Sequence, residues 1–289
     1  MIATQQQAEA GRGIFDMPAA EYFADHSAVS QSALKVFMDR RRLYEAYFVT
    51  REAEPPEPTD PMRKGTACHT AILEPERFDS LVIEYPRELL AKNGAVSTTE
   101  AKAFRDEHQA AGRIVLKSAE AAQVRAMADS VRRVCGKWLA YPSDKEQAVY
   151  WTDTVTGLPC KLRLDWLIRR QTALLFDLKT SADASPPKFR NRCEDGGYWL
   201  QASHYTDGIK QALGVEAVEF YFVVVETDYP HACALYSLDH ASLAAANVTR
   251  RRLLNDLAGC LASGDFSEPW ESDVTVLPLR DRCFTSNQL

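Results

Sequence analysis

Three consecutive β-patterned runs within residues 147–180 constrain this chain's fold more than any other feature. QAVYWTD and LPCKLRLDWLIR flank TVTG, the pattern of a β-hairpin. ALLFDLKT follows as a third strand, between Gln171 and the loop SADASPP. Side chains alternate faces along a strand. The third run therefore puts Asp177 and Lys179 on one face and Leu174, Phe176 and Leu178 on the other. In KLRLDWLI the same rule groups Lys161, Arg163 and Asp165, and sends Leu162, Leu164 and Trp166 the opposite way. Consecutive strands tend to be neighbours, so Asp165 and Asp177 can face a common point.

Helical patterns surround this block. Residues 1–18 read as a disordered tail, and 19–50 as helical, with Ser30 a candidate N-cap before SQSALKVF. EAEPPEPTDP is a proline-rich acidic loop, followed by a short helix from Gly65 to Leu73. Residues 98–139 predict two helices, broken near Gly112 or Lys117. After the third strand come the amphipathic helix GGYWLQASHYTDGIKQAL and the buried-type strand VEFYFVVVETD. A last strand, HACALYSLD, and a helix from His240 to Leu261 complete the order. At 289 residues, one large α/β domain over 19–289, with a helical insertion at about 98–140, accommodates all of this.

Two carboxylates converging on one point repel unless a cation neutralises them. Hard oxygen ligands suit Mg²⁺, with Mn²⁺ able to substitute. Such an ion activates water and stabilises charge on a phosphoryl oxygen, and an adjacent lysine can steady the transition state. Asp165, Asp177 and Lys179 thus supply the parts for phosphodiester hydrolysis. The sequence offers further candidates. His69, in the GxxxH of GTACH, can give a neutral ring nitrogen to a metal. Gln201 and Tyr205 lie four apart on one helix face. Glu146 directly precedes the hairpin and reads first as a solvated charge. Ser30 and Ser32, at a helix start, could hold a terminal phosphate, or Ser30 could simply cap the helix.

The net charge of -6 disfavours a uniformly sticky surface for polyanions. From Lys161 to Arg192, however, eight basic residues stand against three acidic ones, and Lys188, Arg190 and Arg192 are placed to reach backbone phosphates. The seven cysteines, Cys68, Cys135, Cys160, Cys193, Cys233, Cys260 and Cys283, form no CxxC pair, which predicts small buried hydrophobes in a reducing compartment. No signal-like start or membrane-length apolar run is visible, so cytoplasmic residence is expected.

Taken in order, GTACH, KLRLDWL, LLFDLKTS and YWLQASHY resemble the GxxxH, D, DxK and QxxxY motifs of RecB-type nucleases. HSAVSQSALKVF and TGLPCKLRLDWL extend the likeness toward the RecE (exonuclease VIII) group of phage and prophage exodeoxyribonucleases. The resemblance implies a PD-(D/E)xK core, a mixed sheet flanked by helices. It implies His69, Asp165 and Asp177 as metal ligands, Lys179 as the catalytic lysine, and Gln201 and Tyr205 as supporting or DNA-contacting residues. Leu164 stands where the superfamily name has proline. Iron–sulfur relatives carry a carboxy-terminal CxxC that this chain lacks, so no iron–sulfur cluster is expected.

The reading that follows is a Mg²⁺-dependent exodeoxyribonuclease acting on linear double-stranded DNA. By resemblance it works 5′ to 3′ in recombination by strand annealing, as a ring of identical subunits with a single-strand annealing protein as partner. Helical segments 98–139 and 240–261 would supply the subunit contacts. The alternatives are a structure-selective or restriction-type endonuclease on the same core, and a catalytically silent DNA-binding module.

Overall fold

The computed structural model describes residues 12–56, 60–271, 274 and 276. Helices α1 (Ala19–Ala24), α2 (Gln31–Asp39) and α3 (Arg41–Tyr44, running into a π-helical turn) precede α4 (Asp60–Leu73) and α5 (Pro75–Leu81). Next come β2 (Val82–Glu84), α6 (Thr99–Ala110), β3 (Ile114–Leu116) and α7 (Ser118–Leu139). The strands β4 (Asp144–Thr152), β5 (Pro159–Ile168) and β6 (Thr172–Ser181) are followed by α8 (Pro186–Gly196) and α9 (Tyr198–Leu213). β7 (Ala217–Glu226), β8 (Cys233–Tyr236) and α10 (His240–Ser263) come last.

One mixed sheet organises these elements in the order β1-β4-β5-β6-β7-β8, where β1 is Gly13–Phe15. Only β6 and β7 run parallel in it. A parallel pair needs a crossover, and α8 with α9 provides it. One sheet face packs Leu162, Leu164, Leu175 and Phe222 against residues of α2, α9 and α10 such as Leu34, Leu200 and Leu254. The other packs Trp166, Phe176, Leu178 and Val223 against Ala67, Ile72, Val124 and Met127 of α4 and α7. Helices on both faces explain why β7 is a nearly unbroken apolar run. No described helix is long and apolar enough to cross a membrane.

Local chemistry accounts for the boundaries. Ser30 caps α2, its Oγ accepting from the Ala33 backbone at 3.2 Å. The β4–β5 turn is closed by Gly157 at φ 72°, and Asp153 accepts from both Thr156 N and its hydroxyl. α9 lies close on the sheet at Gly208, where a Cβ would fall 2.6 Å from the Trp151 ring. A methyl there cannot be accommodated without displacing β4 or α9.

The structure departs from the sequence expectations in four places. The amino-terminal tail expected to reach residue 18 contributes β1 from Gly13, added to the edge at β4; residues 1–11 lie outside the described set. The expected break at 112–117 is itself a strand, β3, which pairs parallel with β2. The last two residues of the expected loop SADASPP, Pro186 and Pro187, already form the first turn of α8, in which Phe189 and Cys193 are buried. Leu162, Leu164 and Trp166 do not share a face, because Trp166 packs in the opposite core. Six of the cysteines are free thiols; Cys283 lies outside the described residues.

Candidate active site

The broken alternation in β5 is what builds the site. Lys145 pairs with Trp166 and Gln147 with Leu164, so Glu146 lies opposite Asp165. Glu146 has φ 52°, a left-handed conformation that costs a non-glycine residue roughly 1–3 kcal/mol. On the other side, the β5–β6 ladder ends at Trp166↔Phe176. The next residues outward, Asp165 and Asp177, lie where the strands part. The Leu178 amide, freed from the ladder, donates instead to Asp165 Oδ2 at 2.7 Å. A hydrogen bond to a charged group contributes about 1.5–3 kcal/mol and fixes that carboxylate.

His69 of α4 enters from the face of the second core. Its Nε2 lies 3.1 Å from the Leu178 carbonyl oxygen, which can only accept, so Nε2 carries the proton. Nδ1 then faces Glu146 Oε1 at 3.5 Å and Asp165 Oδ2 at 3.6 Å. Glu146 is held in turn by Arg163, whose Nε lies 3.3 Å from Oε2 and whose Nη1 donates to the Met17 carbonyl at 2.9 Å.

Asp177 and Lys179 are approached from the face of α9. Gln201 Nε2 donates to Asp177 Oδ1 at 2.5 Å, and Lys179 Nζ lies 2.5 Å from Asp177 Oδ2. The Lys179 ammonium sits 4.9 Å from the Tyr198 ring centroid, a favourable cation–π distance. Tyr205 adjoins Gln201, and burial together with Tyr22, Asp177 and Asp165 pushes its phenol well above its ordinary value.

Three carboxylates in so small a space shift one another. Burial, and after it the charges of Asp177 and Glu146, push Asp165 up to about 7, against the opposing pull of His69 and Lys179. Burial opposes a charge on His69, but Asp165 and Glu146 outweigh it and hold the imidazole up to about 9. Burial likewise opposes the Lys179 charge, which Asp177 and Asp165 keep above the usual lysine value.

A divalent cation fits this donor set. One ligand atom each from His69, Glu146 and Asp165 lie within 4.8 Å of one another. The Leu178 carbonyl fixes the imidazole tautomer that leaves Nδ1 free to coordinate, the usual arrangement behind a metal-bound histidine. One imidazole and two carboxylates suit Mn²⁺ or Mg²⁺.

The structure thus gathers His69, Glu146, Asp165, Asp177, Lys179, Gln201 and Tyr205. It differs from the expected arrangement in one respect: Glu146 completes the donor triad, while Asp177 is engaged by Lys179 and Gln201. Sequence patterning missed the Arg163 clamp, the Tyr198 ring and both backbone groups of Leu178; an arginine two residues before Asp165 was the visible signal. Ser30 Oγ is taken up by the helix cap and a 3.0 Å contact with Ser32 Oγ. The basic stretch also divides. Lys161 is buried and donates to the Tyr22 and Asp25 carbonyls, and Arg169 pairs with Asp144. Lys188, Arg190 and Arg192 remain exposed on α8.

Comparison with known proteins agrees with this architecture. The family described as a PDDEXK-like domain of unknown function (DUF3799) matches residues 30–270, a span that contains every residue of the site. A crystal structure of a protein from Eubacterium rectale, described as a candidate exonuclease, superposes with TM-score 0.54 at 13% identity. The alignment covers 94% of this chain and 99% of that one. The crystal structure of SSO0001 aligns over 65% of this chain and 85% of its own, at 15% identity and TM-score 0.27, too distant to bear on the fold. No curated protein matches in sequence.

Proposed function

The chain belongs to the PDDEXK-like DUF3799 family, and from that premise we propose that it is a divalent-metal-dependent nuclease that hydrolyses phosphodiester bonds of DNA. The observation that carries this reading is the joining of two groups of residues through one tripeptide, Asp177-Leu178-Lys179. Leu178 holds His69 and Asp165 through its carbonyl and amide, while its neighbours Asp177 and Lys179 form the adjacent ion pair.

His69, Glu146 and Asp165 would hold the cation, with Asp177 at its edge. When bound, a divalent ion supplies Lewis acidity toward a phosphoryl oxygen and lowers the pKa of a coordinated water. Lys179, kept charged by Asp177 and Asp165, is placed to orient the attacking water or to stabilise charge on the phosphoryl oxygens. Gln201 fixes the carboxylate to which Lys179 is anchored. Arg163 keeps Glu146 turned toward His69.

The finer reading is an exonuclease that degrades one strand of linear duplex DNA, 5′ to 3′, with Mg²⁺ or Mn²⁺. The ordered RecB-type motifs GTACH, KLRLDWL, LLFDLKTS and YWLQASHY, with the RecE-like stretches HSAVSQSALKVF and TGLPCKLRLDWL, support it. A ring of identical subunits working with an annealing protein fits the same motifs, because enclosure would hold DNA near an acidic protein. Incubation with linear and covalently closed duplex in Mg²⁺ tests this reading. Degradation of the linear form alone, from the 5′ end, supports it; cutting of the closed circle shows an endonuclease.

A further inference from the structure

The hairpin joining β7 and β8 carries Tyr229, 91% exposed, just past the carboxy-terminal end of β7. β6 and β7 are parallel, with Lys179 opposite Val224 and Ser181 opposite Glu226. The turn therefore projects beyond the carboxy-terminal end of the strand that bears Asp177 and Lys179. β7 ends at Glu226, and a fully extended chain spans at most about 3.6 Å per residue, so the five steps from Val224 put Tyr229 within roughly 18 Å of it, a span of a few nucleotides.

The turn is braced on several sides. Thr227 N donates to the Ser181 carbonyl at 2.8 Å, and His231 N to the Asp228 carbonyl at 2.8 Å. Gln123 of α7 donates to the Thr227 carbonyl, and the His231 ring lies 3.1 Å from the Glu226 carbonyl oxygen. The Glu226 carboxylate ties two segments together. It accepts from Ala232 N in the turn at 3.3 Å and from Ala184 N in the loop leading to α8 at 3.0 Å. The loop that starts the basic helix is thus fastened to the base of the hairpin. The described ring contact of Tyr229 is an edge-on one with His231 at 6.5 Å, which leaves the phenol face uncovered.

We propose that Tyr229 is a base-stacking platform, holding one nucleobase of the substrate strand at the rim of the site while α8 faces its phosphates. The proposal rests on the nuclease reading. An aromatic face on a rigid support binds any base, because every base presents a π surface. A mobile support would lose that gain to ordering entropy, and the bracing here removes the loss. Stacking on a base would also cover a ring that otherwise exposes most of its apolar area to water.

The test is a binding cycle in metal-free buffer, with fluorescence anisotropy of a duplex bearing a short single-stranded tail. Tyr229→Ala is expected to weaken binding about 5- to 100-fold, whereas Tyr229→Trp keeps it. An abasic site at one position of the tail should weaken wild-type binding by the same factor and leave Tyr229→Ala unaffected. Abasic sites elsewhere should weaken both proteins alike. Equal affinity of wild type and Tyr229→Ala, or a loss shared evenly over all abasic positions, overturns the stacking role while leaving the nuclease reading intact. A wild-type protein that binds no DNA in this buffer or with Ca²⁺ added overturns the stacking role, and the nuclease reading is then decided separately by hydrolysis with Mg²⁺ or Mn²⁺. Because the ring is exposed, the variant should melt with wild type, which separates binding from folding.

Discussion

His69 Nε2 lies 3.1 Å from the carbonyl oxygen of Leu178, the residue between Asp177 and Lys179. This contact joins a helix on one face of the sheet to the strand that carries the Asp177–Lys179 ion pair. It also sets which ring nitrogen faces Glu146 and Asp165. A histidine held only for packing would not need its second nitrogen turned toward two carboxylates.

His69→Ala is therefore expected to raise the Mn²⁺ concentration that protects the protein against thermal unfolding by roughly 10-fold or more. Excess Mn²⁺ should restore part of the activity. Melting curves over a Mn²⁺ titration give the answer. A lowered melting temperature with an unchanged metal midpoint would assign His69 to packing.

On α8, Lys188 and Arg192 are four residues apart and share a helix face, with Arg190 on a flank and Phe189 and Cys193 buried beneath. Replacing all three cations by glutamine should weaken DNA binding and reduce the salt slope of log Kd by about 2 to 3, one counterion per lost phosphate contact. Binding isotherms between 50 and 200 mM salt measure it. An unchanged slope would make the helix a solvated surface.

A third expectation concerns pH. Burial foremost, and Arg250 after it, push the His204 imidazole down to about 3; its Nε2 donates to the Lys161 carbonyl at 3.2 Å. In the unfolded chain the ring titrates near 6.5. The folded pKa is the lower one. The unfolded state therefore binds the extra proton, and stability is full above about 6.5 and lost as pH falls toward 3. The stability gap between wild type and His204→Asn should narrow by about 1 kcal/mol from pH 6 to pH 5. Urea unfolding of both proteins at the two values tests this. Parallel losses would show that His204 is not the titrating group.

The sequence made the strands legible because β4, β5 and β6 lie together in the chain and alternate cleanly wherever the ladder is intact. It made Asp165, Asp177 and Lys179 legible for the same reason. It failed where the ladder fails. Strict alternation assigned Trp166 to the face of Leu164, because the left-handed backbone of Glu146 leaves no mark in a period-two pattern. Glu146 read as a solvated charge because its partners, His69 and Arg163, are distant in sequence or on the neighbouring strand. The helix α8 was hidden by Pro186 and Pro187, which read as a loop but are tolerated in the first turn of a helix. Lys161 counted toward the local basic balance, but the fold buries it against Tyr22 and Asp25, where burial, opposed by Asp25, lowers its pKa to about 8.

If this centre hydrolyses DNA with a divalent cation, acid-soluble nucleotides are released from linear duplex DNA. Wild-type protein should release them with Mg²⁺ or Mn²⁺ and stop on chelation. Lys179→Ala, folded by its melting curve, should lose about 100-fold or more of the rate while still binding metal and DNA. Wild type inert with both metals, or Lys179→Ala degrading DNA at near the wild-type rate, would contradict the account.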